Sequence, residues 1–130
     1  MKANTIKLKD TLDVLSKYSA NDLIRDERNR QRTEEGWRAD HDDTHTAEEL
    51  SKAAYCYVHA LDGRRKKWPW EPESFKPKGI LRNLIKAGAL YLAENDRCLR
   101  AGLRDLAAKA QKNHQNVLKQ IDYLLNSSTP

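Results

Sequence analysis

Apolar side chains recur along this chain at intervals of three and four residues, the spacing that lines one face of a helix. Leu8, Leu12 and Leu15 form a narrow first stripe, with Asn4 or Thr5 available as its cap. Ser19 and Asn21 are cap-type residues for a second helix over about Asp22 to Glu35. Its strong apolar residues, Leu23 and Ile24, lie at the start; the rest is charged all round, and Gly36 stands where a terminating glycine usually does. Residues 37–45 have no period and read as a loop. Thr46-Ala47-Glu48-Glu49 fits a capping box, with Thr46 as cap and Glu49 at the third helical position. It leads into an apolar face of Leu50, Ala53, Ala54, Tyr57, Val58 and Leu61, which Asp62-Gly63 stops.

Residues 64–78 hold Pro69, Pro72 and Pro77 and read as one long irregular connection, stapled in place by Trp68 and Trp70. A long helix then begins at Gly79 or Ile80, apolar on more than one side, with Ala87-Gly88-Ala89 as a small-residue patch where another helix can approach. From Leu99 to Leu125 the apolar residues Leu99, Leu103, Leu106, Ala110, Val117, Leu118, Ile121, Leu124 and Leu125 keep a helical period, as one bent helix or two. No strand-like alternation and no hairpin signal occurs. The expected fold is all-α: a compact helical bundle with a long Pro/Trp-containing connection. It forms a single domain over 1–130, with a core at about 22–97 and a C-terminal helical extension over 98–126.

Composition adjusts this picture rather than changing it. With 38% of its 130 residues hydrophobic and 33% charged, the chain has a thin core and a heavily solvated surface. No apolar run approaches the roughly 18–20 residues that span a bilayer, and the first residues lack the apolar stretch of a secretory signal. Cys56 and Cys98 are too few for a disulfide framework or a zinc motif, so a reducing cytoplasm is the expected location. The net charge of +5 is modest, but its distribution is uneven. Arg64-Arg65-Lys66-Lys67 is a basic knot, continued by Lys76, Lys78, Arg82 and Lys86, whereas residues 40–49 are acidic.

The groups able to do chemistry cluster between Glu27 and Arg97. On a helix over 22–35, Glu27, Gln31 and Glu34 lie near one face. His41, Asp42 and His45 precede the third helix, Glu49 sits in its first turn, and Glu94 and Asp96 come from the long helix. Carboxylates converging from separate helices are how bundles hold Mg²⁺ or Mn²⁺. A set of Glu27, Glu49 and Glu94, with His41, Asp42 and His45 beside it, is the expected metal site. Trp37, Trp68 and Trp70 next to Arg64, Arg65 and Lys76 suit a stacking platform with a phosphate clamp. Each feature also has a plain structural reading. Acids at a helix start satisfy its dipole, Glu27 and Glu34 can pair with neighbouring arginines, and tryptophans in a Pro-rich connection pack.

Several motifs in fixed order carry a family likeness: Glu27-Arg28-Asn29-Arg30-Gln31, Glu35-Gly36-Trp37, His41-Asp42-Asp43-Thr44-His45, Glu49-Leu50, Trp68-Pro69-Trp70, Lys76-Pro77, and Lys86-Ala87-Gly88-Ala89-Leu90 through Ala93-Glu94. Together they resemble a group of small phage and prophage proteins. A looser likeness is to all-α nucleotide pyrophosphohydrolases of the MazG type. This chain departs from their acidic motifs, since Lys52 follows Glu48-Glu49 and Glu94-Asn95-Asp96 has a different interval. The resemblance implies a phage-type accessory protein in the host cytoplasm. Its expected ligand is a nucleotide or related phosphate with a divalent metal, and hydrolysis stays an open alternative. A rival from another class is a non-enzymatic protein that blocks a host factor through a helix face or the Trp68–Trp70 segment. Nucleic-acid binding through the basic knot is a third reading, and homo-oligomer formation stays open.

Overall fold

A computed structural model describes residues 18–60 and 67–127. The Leu8–Leu15 stripe, the Asp62-Gly63 stop, and Arg64 and Arg65 lie outside the described residues. Among those described, five α-helices and no strand are found: α1 (Ala20–Thr33), α2 (Ala39–Asp42), α3 (Glu49–Val58), α4 (Ile80–Arg100) and α5 (Arg104–Ser127). The all-α bundle expected from the periodicity is what forms. No helix among the described residues is long and apolar enough to cross a membrane.

Helix α4 is the axis of the assembly. It packs against α5, α3 and α1, and α2 touches it near its C-terminal end, where Arg100 reaches Asp43 at 2.7 Å. Its apolar residues face more than one neighbour, which is why the sequence is hydrophobic on more than one side there: Leu84, Ile85, Ala87, Ala89, Leu90 and Ala93 are all buried. The small-residue patch has the use expected of it. Gly88 lies where α1 and α5 approach α4, facing Ile24 and Val117.

Local signals account for most boundaries. Ser19 caps α1, its Oγ accepting from Asp22 N–H at 3.1 Å, and the chain leaves that helix through Gly36 at φ +76°. Three expectations need correction. The capping box at Thr46 does not form: Glu48 is the N-cap residue, at φ 61°, and α3 starts at Glu49. The Glu49 carboxylate instead accepts from Ala47 N–H at 2.6 Å. The segment 37–45 is not simply a loop, because α2 lies within it, too short to show a period. The break in the tail falls at Gly102, φ +75°, between α4 and α5, so the tail beyond it is a single helix. Leu99 and Leu103 flank that turn and are exposed rather than part of the α5 stripe.

Candidate functional site

The proline-containing connection is tied to itself and then to the bundle. Trp68 Nε1 donates to the Glu71 carbonyl at 3.0 Å and to Ser74 Oγ at 3.2 Å, closing a short 3₁₀ turn over Pro72–Ser74. The Trp68 ring meets Tyr57 edge-on at 5.5 Å and Phe75 at 4.8 Å. Trp70 stands at right angles to Trp68, 5.3 Å away, and contacts Trp37 at 6.0 Å. These rings close over α1 and α4 to leave a cavity of about 340 Å³. Trp37, Trp68 and Trp70, all of the chain's tryptophans, line it together with Tyr57.

The polar side of the cavity comes from α1 and α4. Glu27 is fully buried, and Arg30 grips both of its oxygens at 2.9 Å. Arg82 approaches the same carboxylate at 3.6 Å, and Gln31 Nε2 donates to it at 3.2 Å. The hydrogen bond to Glu27 raises the Arg30 pKa, so that cation is fixed. Lys86 enters from α4. Its ammonium donates to the Lys76 carbonyl at 3.0 Å and sits 5.3 Å from the centre of the Tyr57 ring. Burial, with Arg30, Arg82 and Lys78 nearby, lowers its pKa from 10.5 despite the opposing pull of Glu27.

A second ion pair sets the position of the Trp37 wall. Arg28 projects from α1 into the interior, donating to Asp42 Oδ2 at 2.6 Å and to the Trp37 carbonyl at 3.2 Å. It thereby joins α2 and the Trp37 segment to α1. His41 and His45 are brought together by the helical geometry of α2 and the turn after it, with ring centres 5.0 Å apart. His45 then packs on Trp70 at 5.1 Å, behind the cavity wall, with Glu49 Oε2 at 3.7 Å from its Nδ1. Burial pushes Glu49 up, but hydrogen bonds from backbone N–H groups and the neighbouring His45 outweigh it, and its pKa falls below the usual 4.5.

The expected residues thus divide. Glu27, Trp37, Trp68, Trp70 and Lys76 share one cavity; His45 supports it from outside, and His41 and Asp42 lie beyond. The three glutamates expected to share a metal are each held by different partners. Glu27 has Arg30 and Arg82, Glu49 has Ala47 N–H and His45, and Glu94 is buried against Arg97 at 2.8 Å. Among the described residues, no group of three or more His, Cys, Asp or Glu side chains is placed to hold a metal ion. Glu48 and Glu49 belong instead to a more open cleft of about 680 Å³, where Glu48 pairs with Lys109 at 3.5 Å.

Gln31, Tyr57 and Lys86 are among the cavity residues that the sequence did not assign to a site, as are Arg30, Glu35, Ser74 and Leu90. Gln31 was visible four residues after Glu27, but Tyr57 reads as one more apolar-face residue. Lys86 is hidden among the other lysines. Compared with known family profiles, with curated proteins and with solved structures, the chain matches none. The likeness to phage proteins therefore rests on the motifs alone.

Proposed function

We propose that this chain binds a small ligand joining an aromatic ring to a phosphate, a nucleotide being the simplest, in the cavity lined by Trp37, Trp68 and Trp70. The observation that carries this reading is the convergence of every tryptophan in the chain on one cavity that also receives Lys76 and Lys86. Its volume of about 340 Å³ falls within the range of small-molecule pockets, roughly 300–1,000 Å³. Flat rings offer stacking to a base, and two lysines offer charge to a phosphate. A divalent cation such as Mg²⁺ or Mn²⁺ would enter on the phosphates of the ligand, since Glu27, Glu49 and Glu94 already have partners. Capture rather than cleavage is the chemistry proposed, because both Glu27 oxygens are engaged. This suits a phage-type accessory protein acting as a sink or carrier for its ligand.

The rival, a host-factor inhibitor presenting the Trp68–Trp70 segment, has less support. Both rings are packed against the core and against each other.

Intrinsic fluorescence provides the test, since all emitting tryptophans border the site. Titration with nucleoside mono- and triphosphates, with and without Mg²⁺, is expected to quench or shift the emission saturably. Lys86→Met should weaken that binding by about tenfold or more, the worth of a charge-assisted hydrogen bond. The pH dependence has a definite sign. A bound phosphate raises the depressed pKa of Lys86, so affinity holds at neutral pH and falls as pH rises through a value below 10.5. No spectral change at millimolar nucleotide, across the whole panel, would reject the reading.

A further inference from the structure

Resting on that reading, we infer that the cavity selects ligands whose ring carries an amino group, and that Gln31 is the residue that recognises it. Gln31 is only 1% exposed and lines the cavity from α1. Its Nε2 donates to Glu27 Oε2 at 3.2 Å, which fixes the orientation of the amide. Turning the group over would set its oxygen against a carboxylate oxygen and lose that bond. The fixed Oε1 is buried and has no hydrogen-bond partner. Buried polar atoms are nearly always satisfied, so one left open on a cavity-lining residue is a natural partner for a ligand donor. Arg28 Nε, Asp42 Oδ1, His45 Nε2 and His114 Nε2 are also unsatisfied, but none of those residues lines this cavity.

The neighbours of Gln31 reinforce the choice. Glu27 and Glu35, the acids lining the cavity, accept hydrogen bonds only, and Arg30 beside them turns Nε and one Nη2 hydrogen to Glu27 while keeping its other N–H groups. Further donors come from Lys76 and Lys86, in the connection and on α4. A ligand spanning the site therefore meets the Gln31 and glutamate acceptors on the α1 side, beside the Arg30 guanidinium, and the two lysines on the other. An exocyclic amino group on a base, with a phosphate at the far end of the molecule, satisfies both. A ring with a hydrogen in place of that amino group leaves Oε1 open.

The probes are AMP and CMP, each compared with the 5′-monophosphate of the same ribonucleoside bearing hydrogen in place of the amino group. Tryptophan emission is the readout. For whichever base binds, the amino form is expected to bind at least roughly tenfold more tightly, as for a site with a buried partner left unpaired. Gln31→Met, which keeps the side-chain length but removes the acceptor, should bring the two affinities to within about twofold. Circular dichroism establishes that this variant is folded, and the wild-type ratio decides the matter if it is not. Equal affinity of the paired ligands for the wild type would overturn this inference while leaving the cavity reading intact. Absence of binding by every probe would overturn both.

Discussion

Arg28→Met is expected to remove about 3–5 kcal/mol of stability, the usual cost of leaving a buried charge without its partner. Arg28 and Asp42 are 3% and 1% exposed, and their 2.6 Å contact joins α1 to α2. Truncating the guanidinium strands Asp42 in the interior and also frees the Trp37 carbonyl. Of a typical total of about 5–15 kcal/mol, that is a large share. Urea denaturation should show it as a fall in the midpoint with little change in slope. The deficit also has a pH signature. Burial raises the Asp42 pKa above 3.8 even with Arg28 present, and the variant raises it further. A carboxyl whose folded pKa exceeds its unfolded value loses stability as pH rises between the two, so the deficit should grow as pH rises above 3.8 and shrink as pH falls towards it. Burial likewise lowers Arg28, so desolvation outweighs attraction on both sides of the pair. Arg28→Met combined with Asp42→Leu should therefore recover most of the lost stability. Ligand affinity should not recover with it, because Trp37 has still lost its anchor. Full recovery of both would show that the pair serves the fold alone.

Gly88→Val is expected to cost about 3 kcal/mol or more, at the upper end for an overpacked interior. A Cβ at this position would overlap Ile24 Cδ1, come within 2.8 Å of Ile24 Cγ1 and within 3.4 Å of Val117 Cγ1. Ile24 is 1% exposed, so its side chain can withdraw only by displacing its neighbours in the core. Helix propensity would favour valine over glycine by a few tenths of a kcal/mol, too little to offset the clash. Ile24→Ala alone should lose about 2–5 kcal/mol through the space it leaves. Since that substitution removes both colliding atoms, the double variant should lose clearly less than the sum, with a coupling of about 1 kcal/mol or more. Simple additivity in thermal or urea unfolding would mean that the glycine does not serve the close approach of α1.

Much of the fold was legible because its signals are local. The breadth of apolar positions in α4 announced a central helix, Ala87-Gly88-Ala89 a close crossing, and Ser19 and Gly36 the ends of α1. What escaped is decided at longer range or on too small a scale. Helix α2 has only four residues, and it is held by distant partners: Arg28, fourteen positions before Asp42, and Arg100 on α4. Thr46 fits the capping pattern, yet Glu48 adopts a left-handed backbone and starts α3 two residues late for that box. The tryptophans stood out as a group, but spacing could not say that Trp37 would meet Trp70 in the wall of one cavity. The acids misled for the opposite reason. Glu27 and Glu94 each have an arginine three residues on, the nearest-neighbour spacing of a helix, and those local pairs engage them before any distant carboxylate can.

Cys56 on α3 and Cys98 on α4 are both fully enclosed, and burial raises the pKa of each thiol. The thiolate is the form that alkylating reagents attack, so the folded molecule resists them at two places at once. Modification then proceeds only as fast as each helix lets its sulfur out, which makes the two cysteines built-in clocks for separate parts of the bundle. Cys56 precedes Tyr57, a wall of the cavity, whereas Cys98 lies near the far end of the central helix. A cavity occupant should accordingly slow the first clock more than the second.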